Sequence, residues 1–125
     1  MKRKIAFLCV HNSCRSQIAE ALSKHFLSDK YDFYSAGSET KPQINRDAVR
    51  LIKQLYGIDM EQTQHSKTID KIPTPDIVIS MGCDVGCPYI GRAFDDNWNL
   101  PDPTGKKDTE FVAVIKEIEK RIKLL

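Results

Sequence analysis

The sequence predicts an α/β sandwich built around a mainly parallel sheet, and three observations carry the prediction. Ile5-Ala6-Phe7-Leu8 is a short, nearly all-apolar run, the pattern of a strand covered on both faces. Ile77-Val78-Ile79 repeats that pattern far along the chain. Around these runs, apolar residues recur at spacings of three and four, so strands alternate with helices. The 125 residues fit one domain, spanning 1–125. A chain of that size buries enough surface to fold without a metal or disulfide staple.

In chain order, the first strand gives way near Ser16 to a helix whose apolar stripe is Ile18, Ala19, Leu22, Phe26 and Leu27, ending near Ser28. Tyr31 to Ser35 reads as a second strand, closed by Ala36-Gly37. Asn45 suits an N-cap and Gly57 a C-terminal stop, so a second helix runs to Tyr56 with Ala48, Leu51, Ile52 and Leu55 facing the core. Asp108 reads as the cap of a last helix with Phe111, Ile115, Ile118 and Ile122 inside. Between Gly82 and Lys107 helical period is scarce, with at most a short strand near Ala93 to Trp98. An irregular stretch of that length in a small domain is usually functional. His25 lies near the polar edge of the first helix and reads as solvated, and His65, in the polar stretch Gln62 to Ser66, reads as a cap or turn residue.

Lys plus Arg is 19 against 17 Asp plus Glu, a net charge of +2, too near balance for a dedicated nucleic-acid or membrane-surface binder. With 41% hydrophobic and 29% charged residues the chain is not disordered. No apolar run reaches the ~18 residues of a membrane span. Lys2-Arg3-Lys4 ahead of an apolar stretch imitates a secretory leader, but the stretch stops at His11 and lacks a cleavage site. The expected location is the cytoplasm, where four cysteines point to catalysis, metal binding or burial rather than permanent bridges.

The first strand runs straight into Cys9-Val10-His11-Asn12-Ser13-Cys14-Arg15-Ser16, with a helix behind it. A strand–loop–helix junction aims backbone N–H groups and the helix dipole's positive end into one concavity. Residues 10–16 would therefore cradle a tetrahedral oxyanion, with Arg15 gripping two of its oxygens. Cys9, at the strand end beside Arg15, would be held as a thiolate and act as nucleophile, with Ser16 within reach of its sulfur.

Cys83 and Cys87 follow the late strand in Gly82-Cys83-Asp84-Val85-Gly86-Cys87-Pro88, where the glycines permit a sharp bend. Both loops lie at the carboxyl edge of the sheet, so three thiols come within range of one another, as in a thiol–disulfide relay. A zinc site is the competing reading of the two cysteine pairs, but Arg15 beside the first pair disfavours a cation there, and no metal is assigned. Asp102, between Pro101 and Pro103, is an ordinary turn former unless its loop folds over Cys9, where it becomes a candidate general acid.

Together these residues resemble the low-molecular-weight protein tyrosine phosphatase family. The Cys9-to-Ser16 loop, the Ser35-Ala36-Gly37 turn and the Asp102-Pro103 loop carry the likeness. Within that superfamily, His11-Asn12-Ser13, Met81-Gly82-Cys83 with Cys87-Pro88, and Trp98-Asn99-Leu100-Pro101-Asp102-Pro103 are similar to the arsenate reductases. Phosphatases of this fold carry tyrosines just after the Asp-Pro, whereas Thr104 and Gly105 stand here, which argues against a phosphotyrosine pocket. The fold implied is a three-layer sandwich with a central, mainly parallel four-stranded sheet.

The activity implied is reduction of arsenate to arsenite, with phosphate and sulfate as competing anions. Cys9 attacks arsenate and Asp102 protonates the leaving oxygen. Cys83 then forms a disulfide with Cys9, and Cys87 takes over to form a Cys83–Cys87 bridge. Thioredoxin is the family's usual reductant, and the short spacing of the late cysteines leaves a glutaredoxin-like partner open as well. The alternative within the same fold is phosphate-monoester hydrolysis through a Cys9 phosphocysteine. No cofactor is implied. Some relatives place potassium beside the loop on an Asn, a Glu, a Ser and an Asp. Asn12, Glu20 and Ser35 match, but Lys67 stands at the Asp position.

Overall fold

The structure, a computed structural model, describes residues 2–82 and 94–125. Four strands, β1 (Arg3–Cys9), β2 (Tyr31–Gly37), β3 (Ile77–Ser80) and β4 (Asp96–Asn97), form one sheet in the order β2-β1-β3-β4. All three pairings are parallel, with Cys9 opposite Gly37 and Leu8 opposite Ser80. The helices are α1 (Arg15–Leu27), α2 (Arg46–Tyr56) and α3 (Asp108–Ile122), with short 3-10 turns at Met60–Gln62 and Ile69–Lys71.

Alternation along β1 divides the core. Ile5, Phe7 and Cys9 join the larger cluster with Ile18 and Leu22 of α1, Ala48 and Ile52 of α2, and Phe111, Ile115 and Ile118 of α3. Phe7 sits between Phe33 and Trp98, with ring centroids 6.1 and 5.4 Å away. Ala6 and Leu8 point the other way, with Ala36 and Val78, under Tyr34, Ile69, Ile72 and Phe94. Among the described residues no helix is long and apolar enough to cross a membrane.

Most element boundaries match the sequence pattern. Asn45 caps α2 by accepting from the amides of Asp47 and Ala48, and Gly57 ends it in the left-handed conformation at φ +72°. Two expectations are corrected. Leu55 is 40% exposed, because α2 needs only a narrow stripe against the core. Asp108 is the first residue of α3, not its cap: Lys107 holds that position, and Asp108 instead forms an ion pair with Arg50 across α2. The predicted short strand is trimmed to Asp96–Asn97, with Ala93 outside the described residues.

The strand order reverses direction at β1. The chain passes from β1 to β2 on one side and returns to β3 on the other, so the carboxyl ends of β1 and β3 flank a crevice where ligands of open α/β sheets bind. Cys9 stands at that point. Gly37, at the end of β2, closes it from behind. A Cβ there would lie 2.5 Å from the Val10 carbonyl oxygen, 2.8 Å from that of Cys9 and 2.9 Å from the Asn12 nitrogen, all of them backbone atoms. Gly37→Ala should therefore push the loop after β1 out of place. Urea unfolding should show a loss of about 1–3 kcal/mol, the usual range for overpacking. An unchanged midpoint would mean that the loop yields freely.

Candidate active site

The loop between β1 and α1 is held by its carbonyl groups. Those of residues 10–14 accept, in order, from the Glu39 amide (2.9 Å), the Ser66 hydroxyl (2.8 Å), Gln17 Nε2 (3.0 Å), the Asn45 amide (2.7 Å) and the Ile18 amide (2.9 Å). With every carbonyl turned outward and fastened, the intervening peptide planes present their N–H groups to the inside of the curve. Among the described residues the amides of residues 11–15 find no acceptor. α1 begins at this loop with no side-chain cap and no acidic residue in its first turn, so the free donors and dipole of its N-terminus are left for an external anion.

Asn12 shapes the curve. It adopts φ +49°, a conformation Asn tolerates better than most residues, and its side chain is fully buried. Its amide nitrogen donates to Ser16 Oγ at 2.9 Å, while its Oδ1 accepts from Gln17 Nε2 at 2.9 Å and from the Lys67 amide at 3.0 Å. Ser16 Oγ in turn lies 2.9 Å from Cys9 Sγ, the contact the sequence anticipates. Cys9 is only 5% exposed. Cys14 is equally buried, and burial, reinforced by Asp102 and Cys9, pushes its thiol up to about 12. Cys14 therefore stays protonated and inert.

Over Cys9 lies a cavity of about 250 Å³. Val10, His11, Ser13, Cys14 and Arg15 of the loop line it, and Asp102 and Thr104 come in from the Pro101–Gly105 turn. Among the described residues no Phe, Tyr or Trp lines it, and its one ring is the His11 imidazole. Arg15 spends one nitrogen on structure: Nη1 donates to the carbonyls of Leu100 (2.6 Å), Gly82 (3.2 Å) and Met81 (3.3 Å). Among the described residues its Nε and Nη2 have no bonded partner, which leaves two adjacent donors for a ligand. His11 pairs with Glu39 at the rim, 3.1 Å away.

Sequence reasoning brings Cys9, the loop 10–16 and Asp102 to one place, and the structure puts them there. It left Asp102 open between turn former and candidate general acid; the turn is formed, and Asp102 lines the same cavity as Cys9. Asp102 Oδ1 accepts from the Thr104 amide (3.1 Å) and hydroxyl (2.7 Å), an Asx turn in which Oδ2 has no hydrogen-bond partner among the described residues. Burial raises the Asp102 carboxyl, but the Thr104 bonds, with Arg15 and Lys106, outweigh it and hold the group below its ordinary value. Cys83 and Cys87 lie outside the described residues. Gln17, Lys41 and Thr104 were missed. An Asp-x-Thr turn signals Thr104, and Gln17 directly follows the loop and bonds Asn12 five residues back, whereas nothing local marks Lys41, which reaches the site through the fold.

The residues that match a potassium site do not fit the ion. Glu20 is buried and accepts from Ser35 Oγ at 2.5 Å and from Lys24 Nζ at 2.6 Å. Lys67 Nζ stands 3.6 Å from the same carboxylate, and Asn12 Oδ1 already accepts two N–H bonds. Lys67 contributes an ammonium where that pattern calls for a carboxylate, and Asn12 Oδ1 and both Glu20 oxygens already accept hydrogen bonds.

Comparison with known proteins agrees with this geometry. The model of the low molecular weight phosphotyrosine protein phosphatase family matches residues 4–125. An arsenate reductase of Bacillus cereus is 37% identical, covering 98% of this chain and 92% of that protein. A solved arsenate reductase in the phosphate-binding state superposes with a TM-score of 0.83 at 32% identity, covering 98% of this chain and 95% of that one. A thioredoxin-dependent arsenate reductase of Corynebacterium glutamicum gives 0.75 at 32% identity, covering 98% of this chain and 59% of the other.

Proposed function

The chain belongs to the low molecular weight phosphotyrosine protein phosphatase family, and on that footing we propose that it reduces arsenate to arsenite by a relay of Cys9, Cys83 and Cys87. The observation that carries the reading is the small cavity with outward-fastened carbonyls, lined by Thr104 where a phosphatase of this fold would place a ring. Such a pocket suits a free tetrahedral oxyanion, and Thr104 gives an aryl ester no ring to stack on.

Arsenate seats its oxygens on the amides of residues 11–16 and on Arg15, with Cys9 Sγ below the arsenic. Ser16 Oγ, held by Asn12, donates to the thiolate and fixes its direction. The arsenate charge beside Asp102 favours protonation of that carboxyl, so the acid is loaded as substrate binds. Cys9 attacks, the As–O bond opposite breaks, and the Asp102 proton leaves with that oxygen as water. Cys83 then attacks Cys9 Sγ. The new S–S bond forms as the S–As bond breaks, and its electron pair reduces arsenic(V) to arsenic(III). Cys87 displaces Cys9 from Cys83, and the resulting Cys83–Cys87 disulfide takes two electrons from a protein dithiol. Thioredoxin is the assigned reductant, with a glutaredoxin-like protein as the second arm of the test. Phosphate and sulfate compete for the cradle. The assigned location is the cytoplasm, where dithiol reductants are maintained.

The test is a coupled assay. Arsenate should drive oxidation of NADPH through a purified thioredoxin system, while an aryl phosphate is hydrolysed slowly or not at all. Vigorous aryl-phosphate turnover without arsenate-dependent thiol oxidation would reverse the assignment.

A further inference from the structure

Glu20 is a buried carboxylate with 4% of its side chain exposed, and a buried charge persists only when paired. Its two cationic neighbours differ in kind. Lys24, one turn along α1, is 42% exposed and makes an ordinary i,i+4 pair. Lys67 comes from outside the helix and is only 13% exposed. Burial pulls its ammonium below the ordinary lysine value and Glu20 pulls it back.

The segment that carries Lys67 is the one that grips the anion loop from behind. Ser66 Oγ donates to the His11 carbonyl, the Lys67 amide donates to Asn12 Oδ1, and the Lys67 carbonyl accepts from the Gly37 amide. The His65 carbonyl accepts from Gln17 Nε2 and from Lys67 Nζ itself. Attraction between Lys67 and Glu20 therefore draws residues 65–67 against α1 and keeps their hydrogen bonds on the loop closed.

We propose that the Lys67 ammonium is a covalently tethered cation that replaces a free monovalent ion, so that this chain positions its anion loop without potassium. Lys67 is a positioning residue: it touches Glu20 and the His65 carbonyl and acts on the oxyanion through Asn12 and His11. The proposal goes beyond the arsenate-reductase reading and does not need it, since inorganic phosphate probes the same cradle.

The experiment measures phosphate affinity by calorimetry and the melting temperature in KCl, NaCl and choline chloride at one ionic strength. The unmodified chain should give the same values in all three salts. Lys67→Met should weaken phosphate binding by roughly tenfold, the low end for losing an outer-shell partner. Lys67→Asp should regain phosphate affinity in KCl but not in choline chloride. A selective effect of potassium on the unmodified chain would overturn the proposal. So would unaltered phosphate affinity in Lys67→Met, or a Lys67→Asp chain indifferent to the cation. If the variants fail to fold, the salt series on the unmodified chain still decides. The readouts are binding and melting, so failure of arsenate turnover would count against the assigned activity and leave this inference standing.

Discussion

A Cys87→Ser chain exposed once to arsenate is expected to release about one arsenite per protein and stop as a Cys9–Cys83 disulfide, while Cys83→Ser releases none. The division of labour follows from where each thiol enters the chain. Cys83 directly follows Gly82 in sequence, and the Gly82 carbonyl accepts a hydrogen bond from Arg15 Nη1 of the anion loop. Cys87 follows four positions later. The first attacker must meet Cys9 Sγ where it is bonded to arsenic, and the second must hand the disulfide to a bulky reductant. Without Cys83 the adduct cannot collapse by this route. Without Cys87 the first disulfide forms and cannot be passed on. Peptide mapping after a single arsenate addition reads both outcomes. Repeated turnover by Cys87→Ser with thioredoxin would remove the second transfer from the mechanism.

Arg15→Lys should lower kcat/KM for arsenate by about 10²–10³-fold although the positive charge is retained. The guanidinium does two jobs at once. Nη1 ties the anion loop to the carbonyls of Met81, Gly82 and Leu100, and the remaining nitrogens form a planar fork at the cavity. An ammonium is a single point. It can satisfy the carbonyls or reach the oxyanion, and cannot bridge the two. Affinity for phosphate should fall together with turnover, since the lost contact serves both. A variant with unaltered phosphate affinity and kcat/KM would show that the loop amides suffice.

Much of the fold was legible because it rests on local chemistry. The buried strands announce themselves as unbroken apolar runs, and α2 carries both of its stop signals in Asn45 and Gly57. The anion loop was legible for the same reason: strand, loop and helix are contiguous, so spacing alone sets Cys9 against Arg15. What failed was non-local. α1 reads as an amphipathic helix with an apolar stripe, yet Gln17 and Glu20 are as buried as that stripe because each has a partner far along the chain. Leu55 looked like core by periodicity and is exposed, because the period gives a face and not its width. Asp108 has the right residue type for a cap, and the ion pair with Arg50 claimed it instead.

The fastening of the loop carbonyls also sets when the enzyme comes into being during synthesis. Residues 9–16 precede most of the groups that orient their peptide planes: Gln17 and Ile18 follow at once, the Glu39 and Asn45 amides later, and the Ser66 hydroxyl 55 residues beyond His11. At about 5–20 residues per second, the loop waits several seconds on the ribosome before its last anchor exists. Contacts of such long sequence separation also close late in folding, because the entropy of the intervening loop must be overcome first. A nascent chain therefore carries Cys9 with no seat for an oxyanion beside it, and the capacity to capture arsenate appears only when the sheet, the β2 turn and the segment behind it have closed together.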